Sequence, residues 1–284
     1  MGKADDLKTE MLQQIEAIIN AADEARRGAA FQAWLKSAAR FHKYSAGNAL
    51  LIAFQRRDAT RVAGYRKWQT MGRQVRKGEK GISILAPVPL LSDHTDDDTG
   101  DTRKVQVGVR FRGATVFDIS QTDGDPLPDA PDWQGTGRQA ELEAAMLDYA
   151  HAIGLETKEY TYTGGAAGWY TPGLLAYSDG GNVPRTIAHE LAHALTPGQP
   201  LELGKRANEP ITDLAAAIVC AHFGIDVSDS TANYVAAYTA DPRQLLQLAE
   251  RARRTAAEII ENDHDRHRHS HRRRRSHSTA AHLG

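Results

Sequence analysis

The sequence contains little cysteine and no long apolar run. Its single cysteine, Cys220, excludes an intrachain disulfide and a zinc site built from several cysteines. No segment approaches the ~18 uninterrupted apolar residues of a membrane span, and Met1–Asp6 lacks the apolar core of a signal peptide. These absences predict a protein with no membrane partner that works in a reducing, cytoplasmic setting.

The chain as a whole also has almost no excess of either charge sign, since its formal net charge is −1. The charges are nevertheless unevenly distributed. Residues 31–90 contain 12 Lys and Arg but 2 Asp and Glu, whereas residues 91–150 contain 5 and 13 and residues 151–263 contain 8 and 14. A basic block beside acidic blocks predicts that one part of the chain meets a polyanion.

Apolar periodicity and capping residues predict a helical N-terminal part that ends in a β-hairpin. The predicted helices are 5–27, 31–41, 46–56 and 65–71, and the predicted strands are 82–87 and 105–117, with an exposed loop at 92–102. Prolines and glycines at 121–137 indicate a linker. The second half is predicted to contain strands at 155–163 and 168–178 and helices at 138–153, 184–196, 208–223, 229–239 and 242–262.

This order of elements predicts the α+β fold class with two domains. The first domain is residues 1–125, the linker is 126–137 and the second domain is 138–263. Residues 264–284 contain 6 of the 12 histidines and the run Arg272–Arg275. Such low-complexity composition predicts a disordered Arg/His-rich tail.

The clearest motif is His-Glu-x-x-His at residues 189–193. On a helix, His189 and His193 at i and i+4 lie on one face, where two imidazoles can hold one metal ion. The surrounding apolar residues suit a helix whose opposite face is buried. Glu190 projects beside the histidine pair, where it could deprotonate a metal-bound water.

A catalytic zinc keeps three protein ligands and one open position, so a third ligand is required. Residues 208–213 read Asn-Glu-Pro-Ile-Thr-Asp and offer Glu209 and Asp213 at i and i+4. This arrangement resembles the third-ligand motif of thermolysin-like gluzincins, in which the Glu binds zinc and the Asp supports a histidine. Because Pro210 suits a first helical turn and leaves Glu209 at its edge, Asp213 is an alternative ligand. One Zn²⁺ per chain is expected.

The basic block interleaves cations with aromatic residues. This pattern is typical of single-strand binding, where cations follow the phosphates and aromatic faces stack on bases. Phosphate contacts of this kind carry no sequence information. The alternative is a solvated basic face whose aromatic residues belong to the core. The candidate DNA-binding residues are Arg40, Lys43, Tyr44, Asn48, Arg56, Arg57, Arg61, Tyr65, Arg66, Lys67, Trp68, Arg73, Arg76, Lys77 and Lys80.

Four segments in order resemble the N-terminal domain of ArdC-type antirestriction proteins. They are YSAGNALLI at 44–52, ATRVAGYRKWQ at 59–69, GRQVRKGEKGI at 72–82 and VFDISQT at 116–122. The C-terminal half resembles the accompanying zinc metallopeptidase domain, which is related to ImmA/IrrE-type peptidases. The resemblance implies single-stranded DNA binding, protection of incoming DNA from restriction, and carriage by conjugative plasmids or phages.

The expected function is therefore that of an antirestriction-type protein of a mobile element with a zincin-like metallopeptidase domain. His189, His193 and Glu209 would hold zinc, and Glu190 would be the catalytic base. The expected partners are single-stranded DNA and a protein or peptide substrate, with the oligomeric state left open. One alternative is a DNA-binding protein with a structural, non-catalytic zinc site. A nuclease is disfavoured, because two-metal nuclease sites are rich in carboxylates.

Overall fold

The computed structural model describes residues 2–19, 33–95, 101–127, 138–196, 208–225 and 241–280. The helices are α1 (Lys3–Ile19), α2 (33–40), α3 (Ala46–Gln55), α4 (Tyr65–Thr70), α5 (Arg138–Ala152), α6 (Val183–Leu195), α7 (Asn208–His222) and α8 (Pro242–Ala280). The strands are β1 (Val62–Ala63), β2 (Arg73–Val75), β3 (Ile82–Thr95), β4 (Thr102–Asp118), β5 (Thr122–Gly124), β6 (Glu156–Tyr160), β7 (Gly168–Thr171) and β8 (Leu174–Ser178). This mixture of helix and sheet is the α+β class. The predicted helix 229–239 and most of the predicted linker lie outside the described residues.

The chain divides into two compact units. The first consists of Met1–Ala17 and Gly47–Pro128, and the second of Ile18–Ala46 and Asp129–Gly284. The sequence predicts that residues 18–46 belong to the first domain, whereas packing groups them with the second unit. Among the described helices, none is both long and apolar enough to cross a membrane.

Hydrogen bonds explain why the segment containing α2 packs in the second unit. His222 of α7 donates from Nδ1 to the Ala39 carbonyl at 3.0 Å, and Arg253 of α8 donates to the His42 carbonyl at 2.5 Å. Glu250 of α8 accepts a bond from the Ala46 amide at 2.7 Å. These partners lie far apart along the chain, so no local sequence pattern predicts the bonds between them.

In the first unit, one sheet has the strand order β1–β4–β3, and β2 pairs with β5 separately. Side chains of α3 cover the outer edge of β3. Asn48 donates to the Leu85 carbonyl at 2.8 Å and accepts from the Leu85 amide at 2.9 Å. Gln55 makes the same pair of bonds with Ser83, both at 2.8 Å. Two amide side chains therefore replace a neighbouring strand at this edge.

The β3–β4 hairpin is longer than the sequence predicts. Pairing continues through Asp93 opposite Lys104 to Thr95 opposite Thr102, so both ends of the predicted loop 92–102 are strand. Pro87 and Pro89 would ordinarily indicate the end of a strand. They continue the alternate positions of Ser83 and Leu85, and therefore share the backbone orientation of these two residues. Because the backbone groups of those residues face outward from the sheet, the prolines remove only outward-facing donors, which an edge strand tolerates.

The second unit contains a three-stranded sheet in the order β6–β8–β7, with β8 parallel to β6 and antiparallel to β7. The single strand predicted at 168–178 is in fact the hairpin of β7 and β8, which turns at Gly173 with a φ of 90°. Helix α7 buries almost its whole surface, including Cys220, whose pKa is raised by burial to about 12. The cysteine is a core residue, as its apolar surroundings predict.

Helix α8 includes most of the segment for which the sequence predicts a disordered tail. It runs without a break from Pro242 to Ala280. The segment contains no proline and no glycine before Gly284. Extending an existing helix adds one hydrogen bond for each residue fixed, whereas starting a new helix is costly. The low complexity of the tail therefore does not end the helix that precedes it.

Candidate metal centre and basic surface

Helix α6 presents the two motif histidines on one face. Its N-cap residue Asn182 accepts a bond from the Arg185 amide at 3.1 Å, with a proline in the first turn. The opposite face is fully buried through Ile187, Ala188, Leu191 and Ala192. The imidazoles of His189 and His193 are half-buried, and their Nε2 atoms lie 3.1 Å apart.

Helix α7 brings Glu209 to these two nitrogens. Its Oε2 lies 3.5 Å from His189 Nε2, and its Oε1 lies 3.5 Å from His193 Nε2. Ligand atoms bound at about 2.0–2.1 Å to one tetrahedral ion lie about 3.3–3.4 Å from each other. The three separations, 3.1, 3.5 and 3.5 Å, agree with the edges of such a tetrahedron. The residues therefore fit a small divalent cation.

Asp213 lies behind His189 rather than beside the converging atoms. Its Oδ1 accepts a bond from His189 Nδ1 at 3.1 Å and lies 3.6 Å from the Arg185 guanidinium. With the proton held at Nδ1, His189 keeps its Nε2 lone pair for a metal. The geometry separates the two candidate carboxylates, because Glu209 meets the Nε2 atoms and Asp213 supports a ring.

Glu190 occupies a tight space between α6 and β7. It is 6% exposed, and a Cβ added to Gly168 of β7 would lie 2.9 Å from its Oε1 and 2.7 Å from Thr186 Cγ2. Only glycine lets the strand come this close. Burial raises the pKa of Glu190 to about 7, with a further rise from the Glu209 carboxylate that His189 opposes. Such a carboxyl can both take and return a proton near neutral pH.

The pKa values of the two histidines shift in opposite directions. Burial favours a neutral His189, but the bond to Asp213 and the nearby carboxylates outweigh it and raise the pKa. For His193, burial and the charge of His189 lower the pKa more than Glu209 and Asp213 raise it. One imidazole of the pair is therefore neutral over a wide pH range, ready to act as a ligand.

The candidate DNA-binding residues are divided between the two units. Arg40, Lys43 and Tyr44 belong to the second unit, whereas the candidates from Asn48 to Lys80 belong to the first. Each group can be described only within its own unit. Tyr44 is half-buried, and burial raises its pKa.

Several candidates in the first unit are part of the scaffold. Asn48 is 8% exposed, and its side-chain amide is hydrogen-bonded to the backbone of Leu85. Trp68 is fully buried, and its Nε1 donates to the Phe117 carbonyl at 2.9 Å. The structure thus removes both from the exposed surface. Arg76 pairs with Glu79 at 2.7 Å and Asp123 at 3.2 Å.

Other basic candidates face solvent. Arg56, whose guanidinium lies 3.5 Å from Asp58, and Arg61 are half-exposed. Tyr65 is 44% exposed. The remaining cations are fully on the surface, namely Arg57, Arg66, Lys67, Lys77 and Lys80.

Sequence reasoning missed the residues that surround Arg73. Arg73 donates to Thr122 Oγ1 at 2.8 Å, to the Thr122 carbonyl at 2.9 Å and to the Gly124 carbonyl at 3.1 Å. Gln69 and Gln74 line a cleft beside it, together with Asp123. Neutral glutamines in a basic block give no signal in charge or motif searches, so only the fold reveals them.

Known proteins resemble the chain in sequence and fold. Residues 4–117 match the family model of the N-terminal domain of anti-restriction factor ArdC. The uncharacterized protein y4eC of Sinorhizobium fredii (strain NBRC 101917 / NGR234) is 25% identical over 217 residues, which is 68% of each chain. The crystal structure of the Mn(II)-bound antirestriction protein ArdC from plasmid R388 has a TM-score of 0.50 at 19% identity, covering 90% of this chain and 97% of that one. The metal-free structure gives 0.47 at 21% identity, covering 78% and 86%. The likeness to the Mn(II)-bound structure shows a shared fold.

Proposed function

We propose that the chain is an ArdC-type protein that protects incoming DNA of a mobile element from restriction, because residues 4–117 match the N-terminal domain of anti-restriction factor ArdC. Its first unit would bind single-stranded DNA largely without regard to sequence. Its second unit would be a zinc metallopeptidase of zincin-like fold. The observation that carries the second part is the convergence of His189, His193 and Glu209 beside the buried carboxyl of Glu190.

His189, His193 and Glu209 would hold the metal, and Asp213 would orient His189. When bound there, a divalent metal supplies Lewis acidity, which polarises a peptide carbonyl and acidifies a water. Three protein ligands leave a position open, which distinguishes a catalytic zinc site from a closed structural one. Glu190 would take a proton from the attacking water and return it to the leaving nitrogen.

Zinc suits this donor set better than manganese. The R388 ArdC protein was solved with Mn(II), so a divalent ion of either kind has to be considered. Two imidazoles and one carboxylate at tetrahedral separations match zinc, whereas Mn²⁺ prefers octahedral sites rich in oxygen. Nitrogen and oxygen sites also bind Zn²⁺ more tightly than Mn²⁺ in the general affinity order.

DNA binding is supported by the exposed cations of the first unit, Arg57, Arg66, Lys67, Lys77 and Lys80, together with Tyr65. Cations of this kind neutralise phosphates, and an exposed aromatic ring stacks on a base. Stacking needs base faces that a duplex hides. We therefore expect a preference for single strands and an affinity that falls steeply with salt.

The metal assignment is tested by metal content in a chain that ends at Asp263. This truncation removes the six tail histidines and keeps the buried residues of α8 as far as Ile260. We expect about one zinc per chain for the native site and none for His193→Ala, because two protein ligands bind a metal weakly. Full zinc retention in His193→Ala would contradict the assignment.

A structural zinc site is the second candidate, and cobalt substitution distinguishes it. Co²⁺ replaces Zn²⁺ and absorbs visible light according to its coordination. If a position is open, acetohydroxamate will shift the spectrum of the cobalt protein. An unchanged spectrum at saturating hydroxamate would favour the closed, structural site. This test needs no knowledge of the peptide substrate.

A further inference from the structure

We propose that the cleft beside Arg73 is a nucleobase subsite that accepts bases with an exocyclic amino group and disfavours thymine. The inference rests on the proposed single-strand binding and specifies what that site selects. The cleft has a volume of about 500 Å³ and is lined by Gln69, Gly72, Arg73, Gln74, Asp123 and Gly124. Ligand pockets of this size are common for small organic groups.

Arg73 builds the cleft and uses four of its five N–H donors on oxygens of β5 and its exit. Its guanidinium bonds link β2 to three successive parts of the β5 strand and its exit, at Thr122, Gly124 and Asp125. All of these acceptors are neutral oxygens, so the positive charge of Arg73 remains. This charge offsets that of the Asp123 carboxylate, which also lines the cleft.

The two glutamines are held in one orientation. Gln74 Nε2 donates to the Tyr65 hydroxyl and approaches the Val75 carbonyl at 3.5 Å, and a carbonyl can only accept. Gln69 Nε2 in turn donates to Gln74 Oε1 at 3.4 Å. The network therefore uses donors of both amides and leaves the Gln69 oxygen as an acceptor.

Asp123 adds a second acceptor to the cleft. Its Oδ1 lies 3.2 Å from Arg76, and its side chain is 72% exposed, so the other carboxylate oxygen is open to a ligand. Acceptors facing a cleft repel a phosphate and attract N–H groups. The exposed cations Arg66, Lys67 and Lys77 offer phosphate contacts elsewhere on the same unit.

A nucleobase fits this pattern because it combines an aromatic face with polar edges. Tyr65, joined to Gln74 by its hydroxyl and 44% exposed, offers a ring for stacking. Cytosine, adenine and guanine carry amino groups that donate to carboxylate or amide oxygens. Thymine and uracil present a carbonyl oxygen where cytosine has its amino group and keep only N3–H as a donor, so they can satisfy fewer of the acceptors of Asp123 and Gln69.

The experiment measures fluorescence anisotropy of the full chain with (dC)20 and (dU)20 at pH 7.5. The two oligonucleotides stack similarly and lack the thymine methyl group, so they differ mainly in the donor and acceptor pattern of the base edge. We expect (dC)20 to bind at least about fivefold more tightly, the lower end of discrimination by a good base contact. Gln69→Ala and Asp123→Asn should each reduce this ratio while the salt dependence stays unchanged.

Glu79→Gln is the matched control, because it removes the other carboxylate that contacts Arg76 and does not line the cleft. It should keep the native ratio, and circular dichroism would verify the fold of every variant. Equal, tight binding of both oligonucleotides by the native chain would overturn the subsite alone. Binding of neither oligonucleotide would overturn the proposed DNA-binding function itself.

Discussion

The candidate metal centre and the basic surface place their chemical groups in different ways. In the second unit, two short motifs on α6 and α7 bring their side chains to within 3.5 Å of each other. In the first unit, equally polar residues are divided between solvent and scaffold, with Asn48 and Trp68 buried and Arg76 paired. A motif predicts which individual side chains lie together, whereas composition predicts only the overall charge and polarity of a region.

The two units also treat buried carboxylates differently. Asp118 accepts bonds from the Ser120 hydroxyl at 2.6 Å and from the amides of Ser120, Arg61 and Thr60 at 2.7–2.9 Å, and these bonds outweigh burial and lower its pKa. Glu190 receives no hydrogen bond from the part of the chain that the structure describes, and burial raises its pKa to about 7. A carboxylate that accepts several hydrogen bonds is stabilised in its charged form, whereas a buried carboxylate without donors holds a proton more readily.

The largest expected effect comes from Glu190→Gln, which keeps the shape beside Gly168 but removes the base. We expect a fall of about 10²–10⁴-fold in peptide hydrolysis, because that is the usual contribution of a positioned base. Zinc content and affinity for single-stranded DNA should stay native. Loss of zinc in this variant would show that Glu190 is a structural residue and would break the contrast with Asp118.

Asp213→Asn tests the separation between the two carboxylates of α7. If Asp213 orients His189 rather than binding metal, zinc affinity should fall by about 10–100-fold, the usual cost of losing such a partner. Glu209→Gln should cost more, since it removes a ligand. Chelator competition measures both affinities. A larger loss for Asp213→Asn than for Glu209→Gln would reverse the two assignments.

Arg185→Gln tests the same arrangement one residue further from the proposed ligands, because the Arg185 guanidinium lies 3.6 Å from Asp213. We expect a smaller loss of zinc affinity than for Asp213→Asn, with partial recovery in Arg185→Lys, which restores the charge. Arg254→Gln, on the exposed side of α8, is the matched control and should leave zinc affinity unchanged. Chelator competition measures all three variants. If Arg185→Gln and Arg254→Gln have the same zinc affinity, Arg185 has no role in metal binding.

Asn48→Ala tests whether a DNA candidate is a scaffold residue. It leaves the buried Leu85 amide without its partner, which typically costs about 1–3 kcal/mol of unfolding free energy. Gln55→Ala breaks the equivalent bonds to Ser83 at a more exposed position and should cost less. Urea unfolding measures both changes, and a neutral Asn48→Ala would contradict the edge-covering role.

Asp118 should make stability depend on acid. Its folded pKa lies below the ordinary value of about 3.9, so the unfolded chain binds the proton more readily. The stabilising contribution is therefore complete above that ordinary value and is lost as pH falls through the folded pKa. Urea unfolding between pH 6 and pH 2.5 should show a steeper loss for the native chain than for Asp118→Asn.

The smallest expected effect is on the salt dependence of DNA binding. Lys77→Gln and Lys80→Gln should each lower the slope of log affinity against log salt by about 0.7, the value for one phosphate contact on a single strand. Base preference should not change. If neither slope changes, these lysines belong to a solvated face and the DNA surface lies elsewhere on the unit.

The sequence by itself determined the histidine pair of α6, because i and i+4 side chains share a helix face whatever surrounds them. It also placed most helices and the α+β class through apolar periodicity. The sequence could not determine which of Glu209 and Asp213 lies beside the histidine Nε2 atoms, since both are on one face of α7. Their different positions follow only from the packing of α7 against α6. The length of the β3–β4 hairpin and the grouping of residues 18–46 were likewise decided by the tertiary structure. Strand pairing and long-range hydrogen bonds depend on partners that no local pattern encodes.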